Sequence, residues 1–149
     1  MQAISNIIGL DIGDSRTGVS MANTIARIAS PLTVIECSTV NLPDDLLKLV
    51  KEYSPVALVA GLPKGLSGQD TAQTKHIIQI VDTLKRVINL PIFTQDEANT
   101  SKQAEEELRS KGKPYRKGDI DALAATYILQ DFIDSRLDNV FIDNKLTQE

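Results

Sequence analysis

The chain has one cysteine, Cys37, and one histidine, His76, in 149 residues. An internal disulfide is therefore excluded, and so are thiolate metal clusters and two-histidine zinc motifs. Any metal here must be held by oxygen. No segment approaches the roughly 18 apolar residues of a membrane span, and no positively charged region followed by an apolar stretch opens the chain. The expectation is a cytoplasmic protein without membrane contact. Acids outnumber bases, 20 against 16, for a formal charge of −4, which argues against wholesale coating of nucleic acid but says nothing about a local basic patch. Gly9-Leu-Asp-Ile-Gly13 lacks dinucleotide-binding spacing, and no glycine-rich loop ends in Gly-Lys-Ser/Thr.

What is present has the composition of one ordinary globular domain, 42% hydrophobic and 24% charged. At this length roughly 68–70% of the unfolded chain's surface can be buried, so no staple is required. Ile4 to Gly13 is a β-rich apolar run entering a turn at Asp14-Ser15. Arg16–Ala22 and Leu32–Ile35 follow too closely for helical crossovers, which predicts three antiparallel strands. Leu46, Leu47, Leu49 and Val50 then recur at helical spacing until Ser54-Pro55. Val56–Ala60 reads as a central strand, Gly61–Gly68 as a loop, Ile77–Ile88 as an amphipathic helix and Leu90–Thr94 as another strand. Thr100 and Gln103 have capping-box spacing for a helix fraying at Gly112, and a last helix spans Asp119 to Ile133. The expected fold is α/β, a mixed five-stranded sheet of three antiparallel strands then two parallel, with helices on both faces. Residues 134–149 read as a polar tail, docked or frayed.

Three carboxylates stand where a purely structural reading explains them poorly. Asp11 interrupts an apolar strand, where a buried unpaired carboxylate costs several kcal/mol or shifts its pKa. Asp96 and Glu97 follow a strand at its carboxyl end, where open α/β sheets gather their ligands, although a helix-start role also accounts for them. Asp121 shares a helix face with Ala124, Ala125 and Ile128, and the two alanines let that helix approach the sheet and press Asp121 towards Asp11. Asp119 lies on another side and reads as an N-cap. Three acids converging without His or Cys suit magnesium or manganese, and two such ions can drive in-line displacement at phosphorus.

Arg109, Lys111, Lys113, Arg116 and Lys117 give five cations and no acid, immediately before the helix bearing Asp121. Such a run is usually a solvated face, but its adjacency to the acids points to phosphate handling. Tyr115 within it stacks on a base or anchors the loop, and Lys64 in the Gly61–Gly68 segment is placed to line a substrate groove. His76 and Cys37 carry no assigned chemistry.

The strand order and acids resemble the ribonuclease H-like fold, and the motifs resemble its YqgF/RuvX branch of Holliday junction resolvases and pre-16S ribosomal RNA nucleases. The resemblance runs from about Ile7 to Leu129. It is carried by Gly9-Leu-Asp11-Ile-Gly13-Asp-Ser-Arg16-Thr-Gly18, by Val59-Ala-Gly61-Leu-Pro63-Lys-Gly-Leu-Ser-Gly68, and by Asp121-Ala-Leu-Ala-Ala125-Thr-Tyr-Ile128-Leu129-Gln. Where that family usually has Asp-Glu-Arg, this chain has Asp96-Glu97-Ala98. The resemblance implies that Asp11, Glu97 and Asp121 are the catalytic, metal-binding acids, and that Arg16 and the Gly61 loop face nucleic acid. It further implies an endonuclease using two Mg2+ or Mn2+ ions on branched DNA or an rRNA precursor, leaving a 5′-phosphate and a 3′-hydroxyl. A homodimer would suit a four-way junction.

Two alternatives stand beside it. Ala98 motivates a non-catalytic nucleic-acid-binding or ribosome-assembly module. Asp11-Ile-Gly-Asp-Ser-Arg-Thr-Gly18 also resembles the phosphate hairpin of actin-like ATP-binding phosphotransferases, although those close two such domains around ATP.

Overall fold

The computed structural model describes residues 4–142, 145 and 146. Strands β1 (Asn6–Ile12), β2 (Thr17–Asn23) and β3 (Ser30–Ile35) precede α1 (Leu42–Tyr53), β4 (Ala57–Pro63), α2 (Ala72–Val87), β5 (Ile92–Glu97), α3 (Thr100–Ser110) and α4 (Lys117–Val140). The sheet runs β3-β2-β1-β4-β5, antiparallel across β1–β2 and β2–β3 and parallel across β1–β4 and β4–β5. This is the mixed sheet that the spacing of the elements predicts. A short antiparallel pair, β6 (Phe141–Ile142) and β7 (Lys145–Leu146), follows α4.

Side-chain alternation divides the core in two. Ile8, Leu10 and Ile12 of β1 join Leu58, Ala60 and Leu62 of β4 beneath Leu42 and Leu46 of α1 and Ile77, Val81 and Leu84 of α2. On the other face, Ile7, Val59 and Phe93 pack against Ile128, Leu129, Phe132 and Ile133 of α4.

Helix α4 sits unusually close to the β1–β2 hairpin because the strands present glycine beneath it. A Cβ on Gly9 would stand 2.7 Å from Leu129 Cβ, and one on Gly18 would overlap the Asp121 carbonyl and stand 2.8 Å from Ala122 N. The Ser20 hydroxyl, fully buried, donates to the Ala125 carbonyl at 2.7 Å and pins the helix at that approach. Ser20→Ala removes this second bond to a carbonyl inside α4 and is expected to destabilise by about 1 kcal/mol, measured by urea denaturation.

Four local expectations are corrected. Gly61–Pro63 is strand, not loop, because β4 keeps pairing with β5 through Pro63 opposite Glu97. Thr100 is the first residue of α3 and not its cap, since Asn99, at φ 61°, turns the chain from β5 into the helix and receives Gln103 N–H on its carbonyl. Asp119 lies within the first turn of α4 and reaches back to accept Arg116 N–H at 2.9 Å. Residues 134–140 continue α4 because Leu137 and Val140 extend its apolar stripe and are buried. Of the remaining tail, residues 143, 144 and 147–149 lie outside the described residues.

Candidate active site

The alternation that builds the core also aims the acids. On β1, Ile7 and Gly9 face α4, and Asp11 is next in that series. On β5, Phe93 faces α4, which places Gln95 and Glu97 on the same side. Asp121 enters from above, where its backbone rests on Gly18, the ladder partner of Asp11. Between the two acidic strands β4 contributes Gly61, which pairs with Gln95 one position after the Leu10–Ala60 pair. The Ile128 side chain packs over Gly61, and a cavity of about 490 Å³ lies between the carboxylates. Asp11, Glu97 and Asp121 line it together with Gly61, Lys64, Gln73, Asn99, Ser101 and Lys102.

Each acid bears the mark of this confinement. Burial, and then the charge of Asp121, pushes the Asp11 carboxyl up from 3.8 to about 7. Asp121 accepts from Arg16 Nε at 2.6 Å, and the turn closed by Gly13 N–H on the Arg16 carbonyl sets that arginine beside it. Burial, followed by a bond to Asp131 and the charges of Asp131 and Asp96, holds Glu97 above the usual carboxylate range. Glu97 Oε1 is buried without a hydrogen-bond partner.

The donor set suits a hard divalent cation: oxygen only, two acids too crowded to ionise freely, and one orphaned carboxylate oxygen. Among the described residues, however, no three acidic, cysteine or histidine side chains gather around one point. Ladder geometry gives the reason. Asp11 and Glu97 stand two strand spacings apart with a two-residue offset along the strands, so their Cα atoms are roughly 12 Å apart. Arg16 occupies Asp121, and Asp131 draws on Glu97.

Arg16 thus neutralises one member of a like-charged pair. Arg16→Gln is expected to lower stability at pH 8, where Asp11 is ionised, and to lower it less at pH 5, where Asp11 is protonated. Urea denaturation at the two pH values measures the difference.

The other expected cations are placed differently. Lys64 lines the cavity but is ion-paired to Asp70. Arg109 lies beyond α3's first turns, held by Glu105 at 2.7 Å and by the Tyr115 phenol, which gives Tyr115 an anchoring contact. Lys111, Lys113, Arg116 and Lys117 are exposed along the α3–α4 connection, outside the cavity lining. His76 reaches Asp14 at 3.2 Å. The sequence reading missed Gln73, Asn99, Ser101, Lys102 and Asp131. Lys102 precedes Glu105, Glu106 and Glu107 and reads as part of a mixed solvated face, and Asp131 lies ten residues beyond Asp121. Neither spacing signals a site.

The profile of RuvX, described as Holliday junction resolvase, matches residues 5–135. The chain belongs to the RuvX family. A protein of Chloroflexus aggregans named "Putative pre-16S rRNA nuclease" is 41% identical over 136 residues, covering 87% of this chain and 94% of its own. One of the same name from Rickettsia felis is 36% identical over 132 residues, covering 87% and 86%. By these names RuvX is a nuclease family. A structure of Thermus thermophilus RuvC with a Holliday junction substrate shares the fold at TM-score 0.54 and 17% identity, covering 89% of this chain and 96% of that one. The resolvase of fowlpox virus, also bound to junction DNA, aligns at TM-score 0.51 and 15% identity over 89% and 99%. The span matched to RuvX contains all three cavity acids, Arg16, Lys64 and the whole basic run.

Proposed function

We propose that this RuvX protein is a divalent-metal-dependent endonuclease that hydrolyses a phosphodiester in structured nucleic acid, with the 16S rRNA precursor as substrate. The observation that carries the reading is the single cavity into which β1, β5 and α4 bring Asp11, Glu97 and Asp121. The names of its relatives support the rRNA precursor. Mg2+ or Mn2+, held by these acids, would supply an activated water and charge stabilisation at phosphorus.

The chain's own residues prepare the site. In the metal-free chain Asp11 gives up its proton only near neutrality, and a divalent cation held beside it would favour the ionised form. Arg16 screens Asp121 until a stronger cation or a phosphate competes for one of the two partners. Gly61, having no side chain, lets Ile128 pack over β4 beside the space between the acids.

The test is cleavage of end-labelled substrates, a 16S precursor fragment and a synthetic four-way junction, in Mg2+ and in Mn2+. Precursor cleavage that leaves a 5′-phosphate and stops in EDTA is expected. Junction cleavage alone would reassign the substrate, and a symmetric pair of chains would then supply the two cuts. Binding of either without cutting, in both metals, would overturn the catalytic reading and leave a binding module.

A further inference from the structure

A cavity lined by three acids repels the phosphates it must admit unless a cation sits at its rim. Three cations are close enough to serve, and two are already committed. Arg16 is bound to Asp121 and Lys64 to Asp70. Lys102, exposed on the first turn of α3, lines the same cavity and forms no ion pair among the described residues. Its helix neighbour Glu105 is taken by Arg109.

Lys102 holds a second position as well. A neighbouring depression of about 320 Å³ is lined by Ser101, Lys102, Glu105, Glu106 and Arg109. Ser101 and Lys102 are therefore the ridge between the acid cavity and the surface leading to Arg109 and the basic run. A strand whose scissile phosphate lies among the acids, and whose flank reaches that run, has to cross this ridge.

We infer that Lys102 is the positioning residue that grips the phosphate flanking the scissile one, and that the substrate strand leaves the acid cavity over the first turn of α3 towards Arg109. This assignment rests on nucleic acid entering the acid cavity, as proposed above. Lys102 touches neither the reacting atoms nor the acids; it fixes the register of the backbone and reads no base.

The experiment uses the full chain in EDTA, with binding to the 16S precursor fragment and to the four-way junction followed across a salt series. Lys102→Ala is expected to weaken binding of whichever substrate the wild type holds, and to lower the slope of log affinity against log salt by about one. Lys102→Arg should restore the slope. Neutral methylphosphonates are then placed singly around the cleavage position of a DNA-containing substrate. At the linkage next to that position, wild type and Lys102→Ala should bind equally. An unchanged slope, or equal binding only when a distant linkage is neutralised, overturns the assignment to Lys102 and leaves the nuclease reading standing. Failure of the wild type to bind either substrate in EDTA overturns the inference, and failure also to cleave either in Mg2+ or Mn2+ overturns that reading as well.

Discussion

Replacing Asp11 by asparagine is expected to abolish cleavage and, in the same protein, to raise stability. Loss of one of the acids proposed to surround the scissile phosphate should lower the cleavage rate by about 1,000-fold, equivalent to about 4 kcal/mol of transition-state stabilisation. The gain in stability follows from where Asp11 sits. Its carboxyl is moved from 3.8 to about 7 by burial and by Asp121. Between those values the folded chain binds more protons than the unfolded chain, so stability falls as pH rises through the window, and the full cost is present above pH 7. Asparagine carries no charge at any pH. At 1.36 kcal/mol per unit the shift sets a ceiling of about 4 kcal/mol, and a desolvated amide returns part of that, leaving a gain of about 1–2 kcal/mol. Thermal unfolding in EDTA at pH 8 should therefore show a Tm increase of roughly 3–8 °C for Asp11→Asn, shrinking to nothing near pH 4. A Tm at pH 8 equal to or below that of the wild type would mean that the Asp11 charge is compensated in the fold. The cavity would then not be the crowded acidic site that burial and Asp121 create.

The opposed effects also explain which parts of this site were legible in the sequence. Asp11 stands out because a carboxylate between Leu10 and Ile12 contradicts its strand, and such a contradiction is visible without a fold. Asp121 is legible for a related reason: Ala124, Ala125 and Ile128 share its face, and all three are buried against the sheet. Glu97 is half legible. Its place at a strand's carboxyl end is apparent, but it belongs to β5 itself, and the pairing with Pro63 that extends the strand depends on β4 continuing through a segment rich in glycine and proline. Local composition signals a turn there, and the neighbouring strand overrides it. Lys102 and Asp131 carry no local contradiction, since a lysine or aspartate on an exposed helix face satisfies every local rule. Their relation to the acids arises only when α3 and α4 are packed. The basic run shows the converse. Five cations are conspicuous as a string, yet their placement from the end of α3 to the start of α4 sets them outside the cavity that the string alone suggests they line.

The delivery of Asp121 to Asp11 depends on one missing side chain, which makes Gly18→Ala the substitution with the largest expected effect on the fold. Gly18 is paired in the sheet on both sides, to Asp11 and to Val34, and so cannot retreat. The methyl would overlap the Asp121 carbonyl group and stand 2.8 Å from Ala122 N. These are backbone atoms of a long helix whose next turns are fixed by the Ser20–Ala125 bond and by Leu129 and Phe132 in the core. No rotamer change relieves the clash; α4 has to lift. Overpacking of this kind is expected to cost about 3 kcal/mol, or a Tm loss of roughly 6–12 °C. Cleavage should fall further than stability accounts for, because a displacement of about 1 Å at Asp121 costs on the order of 100-fold in rate even in the fraction that stays folded. Gly68 supplies the contrast. There, at φ 80°, an added methyl meets open space, so alanine carries only a conformational cost of about 1 kcal/mol. If Gly18→Ala melts no earlier than Gly68→Ala and cleaves at the wild-type rate, α4 is not seated on β2. Asp121 would then reach Asp11 by some other contact.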